Sequence, residues 1–256
     1  MTRSVADAAE IADYLDDYLE LEEYEDFSGA YNGLQVDTRA PVERVAAAVD
    51  ACQETIDAAV EADADLLLAH HGLFWGRPLP IRGRSHRRLS AVFDADLGVY
   101  AAHLPLDGHA EVGNNVLLAS ALDLPVEGRW GTEKGNEGLG VWSAADLSRD
   151  ELAERVARAC GDEPRVIPGG PSHVRRVGIV TGGAGSMIPQ AAEEGLDTFI
   201  TGEGAHHTYH LATELGVNVF YAGHYATETF GVRAVAEHVA DRFGVEWTYL
   251  ENPTGL

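Results

Sequence analysis

The chain has 256 residues, 45% hydrophobic and 23% charged, a globular composition long enough for one large or two modest cores. Asp and Glu number 42 against 18 Lys and Arg, a formal net charge of −24, and Lys134 is its one lysine. That balance argues against sequence-independent nucleic-acid binding, which needs a cationic face to displace counterions, and fits a surface solvated in concentrated salt, with an acidic mesophilic protein as the plain alternative.

The two cysteines, Cys52 and Cys160, match no metal spacing and suggest no disulfide framework. No apolar run approaches the ~18 residues of a membrane span, and the first residues lack the apolar core of a secretion signal. The expectation is a cytoplasmic protein.

In chain order, the pattern predicts an amphipathic helix from Val5 to about Glu20, then a loop through YEDFSGAYNGLQVD with Asn32-Gly33 as its turn. Val42–Val49 reads as a strand, Cys52–Ala62 as a helix, Leu66–Ala69 as a buried strand, Arg87–Ala95 as a helix, Val99–Ala102 as a strand and Asn114–Leu122 as a helix. Gly128–Gly140 is Gly-rich and reads as irregular, and Ser148-x-x-Glu151 opens a helix to Cys160 with a capping box. Alternation of this kind predicts an α/β fold with mixed, mostly parallel sheets covered by helices.

The second half restates the first. RVAAAVDACQETIDAAVEADADLLLAHHG and RVGIVTGGAGSMIPQAAEEGLDTFITGEG share a plan of strand, turn, Ala-rich helix, Asp, strand and polar turn. LGVYAAHLPLD and LGVNVFYAGHYATE then each pass through an apolar strand to a His followed four residues later by an acid, His103/Asp107 and His224/Glu228. The expected division is two similar halves, 1–127 with HHG and HLPLD, and 128–256 with TGGAGS, GEGAHH and GHYATE, and a site between them; chance likeness of two βαβ units is the competing explanation.

Three constellations fall at strand ends, where open parallel sheets collect ligands. His70-His71 closes DLLLA; neighbours on a strand face opposite ways, so each would serve a different ion unless the Gly turn splays them. HLPLDGH offers Asp107 as a hard oxygen ligand, with His103 or His109 to bind or orient, although Pro and Gly also make it an ordinary turn. His224 and Glu228 share one helix face, as a chelate or as a plain i,i+4 pair. Three histidines and two carboxylates exceed one tetrahedral ion and suit two divalent ions, with Zn, Mn, Fe, Ni or Co all admissible.

Other patterns carry less. TGGAGS sits at a βα turn but lacks the lysine of a P-loop. GEGAHHTYH brings His206, His207 and His210 to the same strand edge. Arg77, Arg82, Arg84, Arg87 and Arg88 follow His71, either as a phosphate site or as a solvated turn.

LLLAHHGLFW, AAHLPLDGHAEVGNN, TGGAGS, FITGEGAHH and AGHYATE, in this order, resemble the NGG-one-interacting-factor-three-like family, whose members are labelled GTP cyclohydrolase type 2 homologues. The resemblance implies a dinuclear metal centre between two similar α/β halves and a toroidal homohexamer. Motif by motif it assigns His70 and His71 as paired ligands, Asp107 as the Asp of HLPLD, and His224 and Glu228 as the C-terminal pair, with Glu228 bridging.

For function, the leading expectation is a dinuclear metal-dependent hydrolase of a small molecule, with a metal-bridged water as nucleophile and His103, or His206 or His207, moving the proton. The alternatives are a non-catalytic metal carrier or cofactor-assembly protein with the same ligands, and a regulatory module that offers its ring to a partner.

Overall fold

The computed structural model describes residues 6–75 and 80–256. The chain forms two compact units, residues 1–106 with 231–252, and residues 107–230 with 253–256. They differ from the halves expected at 127/128: the segment 107–127 joins the second unit, and most of the C-terminal helix returns to the first.

The first unit begins with helix α1 (Ala8–Tyr18), three residues inside the expected start because Asp7 caps it, its carboxylate accepting from Glu10 N at 2.7 Å; Val5 lies outside the described residues. Strands β1 (Gly33–Val36), β2 (Arg44–Asp50), β3 (Leu66–His71) and β4 (Gly98–Ala101) follow, with helices α2 (Gln53–Glu61) and α3 (Arg84–Asp94) between them. The sheet order is β1-β4-β3-β2 and then β11 (Glu246–Tyr249). β2, β3, β4 and β11 run parallel, and β1 is antiparallel to β4. Buried on both faces, β3 reads as a continuous apolar run, as a central parallel strand must. Its core gathers Ala46, Ala48, Ile56, Leu67, Val92 and Val99.

After the short helix α4 (Leu104–Gly108), the second unit has helix α5 (Asn114–Ala121), strands β5 (Gly128–Glu133) and β6 (Asn136–Ser148), helix α6 (Arg149–Cys160), and strands β7 (Arg165–Pro168) and β8 (His173–Ile179). Helix α7 (Ile188–Glu193), strand β9 (Thr198–Thr201), helix α8 (Thr208–Leu215), strand β10 (Asn218–Tyr221) and helix α9 (His224–Thr227) complete it, ahead of α10 (Thr229–Phe243). The sheet order is β5-β6-β8-β9-β10-β7, with β8, β9 and β10 parallel and the other pairings antiparallel. The α6 capping box forms as expected: Ser148 N donates to Glu151 at 2.7 Å and Glu151 N to Ser148 Oγ at 3.1 Å.

The Gly-rich stretch expected to be irregular is instead the β5–β6 hairpin. Lys134 and Gly135, at φ +52° and +89°, link Glu133 to its partner Asn136. Two positive-φ residues in a two-residue loop match the twist of the flanking strands, and Trp130 of β5 packs edge-on against Phe199 with centroids 5.3 Å apart.

Chain order shows the repeat at full length. Each unit runs helix, antiparallel edge strand, strand, helix, strand, helix, strand, short helix, with α1-β1-β2-α2-β3-α3-β4-α4 matched by α6-β7-β8-α7-β9-α8-β10-α9. A hydrogen-bond clasp marks the register. Asp65 Oδ2 accepts from Glu43 N and Arg44 N at 2.8 and 2.9 Å, and Asp197 Oδ2 accepts from Arg175 N and Arg176 N at 2.9 and 3.2 Å. Among the described residues no helix is long and apolar enough to cross a membrane.

Candidate metal centre

In the first unit the carboxyl ends of β3 and β4 deliver three imidazoles to one place. One ring nitrogen each from His70, His71 and His103 lies within 4.8 Å of the others. Their ring centroids are 4.7 Å (His70–His71), 5.0 Å (His70–His103) and 5.5 Å (His71–His103) apart. The alternation of a strand does not keep His70 and His71 apart, because β3 ends at His71.

Each ring is oriented from behind. His70 Nδ1 donates to the Ala102 carbonyl at 2.9 Å, His71 Nδ1 to Asp50 Oδ1 at 2.9 Å, and His103 Nδ1 to Asp26 Oδ1 at 2.7 Å. Carbonyls and carboxylates only accept, so each of the three rings carries a proton on Nδ1 and turns Nε2 away from that partner. Imidazoles so held behind, with a basic nitrogen facing forward, are the arrangement of metal-binding histidines. Asp50 is the last residue of β2 and sits in register with His71. Burial pushes the Asp26 carboxyl up, but hydrogen bonds from His103, Asn32 and Phe27 N outweigh it and hold the group below its ordinary range.

The second unit supplies mainly oxygen. Asp107, on α4, is buried, and its Oδ1 accepts from Asn114 Nδ2 at 2.9 Å and Thr181 Oγ1 at 3.0 Å. Two donors on Oδ1 fix the orientation of the carboxylate. Glu228, 2% exposed, closes α9, and one of its oxygens lies within 4.8 Å of an Asp107 oxygen. Its Oε1 is 3.2 Å from His224 Nε2, while His224 Nδ1 donates to Glu203 Oε1 at 2.8 Å. The hydrogen bond to Glu228, with that to Glu203 and both charges, raises the His224 pKa to about 9 against the opposing pull of burial. An imidazole flanked by two carboxylates is a cation cage, in which a proton and a divalent metal ion are alternative occupants.

Glycine makes that cage possible. Gly182 has φ +67°, and a Cβ there would collide with Glu228 Oε1. A Cβ on Gly202 would lie 2.6 Å from the His224 Cα. The TGGAGS turn thus brings backbone against a carboxylate.

Of the residues expected at the site, His70, His71 and His103 come together in the first unit, and Asp107, His224 and Glu228 in the second. His206 is exposed, paired edge-on with His210 at 6.0 Å, and joins neither cluster. His109 Nδ1 accepts from Glu111 N and Val112 N at 3.2 and 3.1 Å, and so shapes a turn. Arg84, Arg87 and Arg88 stand at the start of α3 with exposed Arg82 just before it, and Arg77 lies outside the described residues. Sequence reasoning missed the orienting carboxylates Asp26, Asp50 and Glu203, and Asn114 and Thr181 behind Asp107. Asp50 alone carried a signal, as the acid closing an apolar strand.

The Duf34/NIF3 (NGG1p interacting factor 3) profile matches residues 6–254. The chain belongs to this family. A Deinococcus radiodurans relative named GTP cyclohydrolase 1 type 2 homolog is 44% identical over 248 residues, covering 96% of this chain and 94% of the relative. A Halobacterium salinarum protein of the same name is 43% identical over 255 residues, covering 98% and 100%. The crystal structure of TTHA1606 from Thermus thermophilus superposes with a TM-score of 0.90 at 42% identity, covering 98% of this chain and all of the other. The Duf34/NIF3 fold therefore extends over the whole described chain, both clusters included.

Proposed function

We propose that this Duf34/NIF3 protein is a dinuclear divalent-metal-dependent hydrolase of a small molecule, with His70, His71, Asp107, His224 and Glu228 as the ligands of two ions. The observation that carries the reading is the orientation of the imidazoles: all four rings donate Nδ1–H to an oxygen acceptor behind them, as metal-binding histidines do, and His224 Nε2 faces the Glu228 carboxylate. The mixed nitrogen and oxygen donors suit Zn, Mn, Fe, Ni or Co. When bound, such ions would supply Lewis acidity that lowers the pKa of water to near neutrality.

The chain's own groups do the rest. Glu228 and Asp107 would supply negative charge to offset that of the ions. Asn114 and Thr181 hold one Asp107 oxygen and so fix the carboxylate that would serve as a ligand. His103, whose ring lies beside the paired histidines, would take the proton from the attacking water and pass it to the leaving group. The family resemblance further supports a homohexamer, and the net charge of −24 supports a salt-adapted surface.

Elemental mass spectrometry on protein purified without chelator tests the centre, paired with turnover assays on nucleotides, cyclic amides and phosphodiesters. The expected result is two equivalents per chain and hydrolysis abolished by chelation. Two equivalents that transfer readily to an apo acceptor, with no turnover, would replace the hydrolase by the metal-carrier reading.

A further inference from the structure

We infer that Asp26 is the positioning residue of His103, locking its imidazole in the Nδ1–H tautomer with Nε2 turned toward His70 and His71. Asp26 lies in the loop between α1 and β1, far in sequence from every motif at the site. Its side chain is 6% exposed and that of His103 11%. Both carboxylate oxygens are occupied. Oδ1 accepts from His103 Nδ1 at 2.7 Å and from Phe27 N at 2.6 Å. Oδ2 accepts from Asn32 Nδ2 at 3.0 Å and from Leu104 N at 3.1 Å. Asn32 closes the loop by accepting from His103 N at 2.8 Å.

Four donors on one buried carboxylate hold it ionised and in a single orientation. The ring it faces is also confined laterally. Trp75 stands edge-on to His103 at 4.8 Å with an interplanar angle of 89°, and Phe27 at 5.6 Å and 61°. A carboxylate behind Nδ1 selects, of the two neutral tautomers, the one in which Nε2 is the acceptor, and it fixes the plane of the ring, which is the geometry a proton-transferring imidazole needs. The α1–β1 loop is thereby part of the reaction machinery, and its Asp26-x5-Asn32 pair is what ties it to the strand end carrying His103.

The inference rests on the hydrolase reading for its rate effect and on the geometry alone for the tautomer. Imidazole nitrogen NMR on the ¹⁵N-labelled full chain loaded with zinc tests the second directly. His103 is expected to be protonated at Nδ1 in the wild type, and an Nε2–H tautomer there would overturn the inference without any variant. Asp26→Asn is expected to move the proton to Nε2, because the amide can donate to Nδ1. It should keep wild-type zinc content and lower kcat on bis(p-nitrophenyl) phosphate by about 100- to 10,000-fold with KM unchanged. Asp26→Glu should restore the tautomer and part of the rate. Unchanged tautomer in Asp26→Asn, or unchanged kcat, would reduce Asp26 to a loop anchor. Should the wild type fail to turn over this ester, the hydrolase reading loses that substrate while the tautomer still decides the role of Asp26.

Discussion

The two units share an element order and a strand register, yet they divide the chemistry unequally. With Asp65 matched to Asp197, the positions of Asp50, His70, His71 and His103 in the first unit fall on Gly182, Gly202, Glu203 and Gly223 in the second. The first unit places its imidazoles directly at the strand ends. In the second unit the corresponding positions are mostly glycine, and the space they leave is used by the segment after β10. Gly182 admits the Glu228 carboxylate and Gly202 admits the His224 backbone. A duplicated frame therefore carries two different clusters, one nitrogen-rich and one oxygen-rich, by exchanging side chains for close backbone approach. The ladder also corrects the apparent match of His103 with His224, since the structural partner of His103 is Gly223, one residue earlier.

Removing a ligand from the imidazole cluster should have the largest effect. His70→Ala is expected to lower metal affinity more than about 100-fold, the upper end for an orienting partner, read by competition with a chromogenic chelator. Retention of two tightly held equivalents would remove His70 from the ligand set. The orienting carboxylates come next and compare the units directly. Asp50→Ala and Glu203→Ala should each cost roughly 10- to 100-fold in metal affinity. A loss confined to Asp50→Ala would mean that the second unit binds through its oxygens alone.

Gly202→Ala probes the backbone side of the exchange. The new methyl meets His224 Cα at 2.6 Å and Gly182 O at 2.7 Å, so denaturant unfolding of the metal-free chain should show a loss of about 1–3 kcal/mol. Wild-type stability would indicate that the His224 segment can withdraw without cost. The smallest effect should come from the shared clasp. Asp65→Ala and Asp197→Ala each remove one carboxylate that accepts two backbone N–H bonds, with an expected loss of roughly 1–2 kcal/mol in either unit. A markedly larger loss in one of them would show that the units do not contribute alike to stability.

Much of the frame was legible because parallel strands buried on both faces read as apolar runs and because helices announce themselves by caps. Leu66–Ala69, Val99–Ala102 and the Ser148–Glu151 box all fall where the pattern puts them. The β5–β6 hairpin was not legible, since Gly131, Gly135 and Gly138 lower every local preference while their positive φ values serve the bulge and turn. The extra leading strand of the repeat was also hidden, because β1 and β7 are four-residue edge strands with little apolar pattern.

By itself the sequence determined the order of the buried parallel strands and their helices in the first half, the core of the internal repeat, the family and the strand ends near which His70, His71, His103, Asp107, His224 and Glu228 would stand, because hydrophobic period, caps and ordered motifs are local properties of the chain. Tertiary structure alone decided which nitrogen of each histidine faces forward, which carboxylates stand behind them, and that α10 and β11 return to the first sheet. Those depend on hydrogen bonds such as Asp26–His103 and Asn114–Asp107, and on a pairing such as β2–β11, between residues 7 to about 200 positions apart. Sequence spacing carries no information about contacts of that kind until the strands are in register.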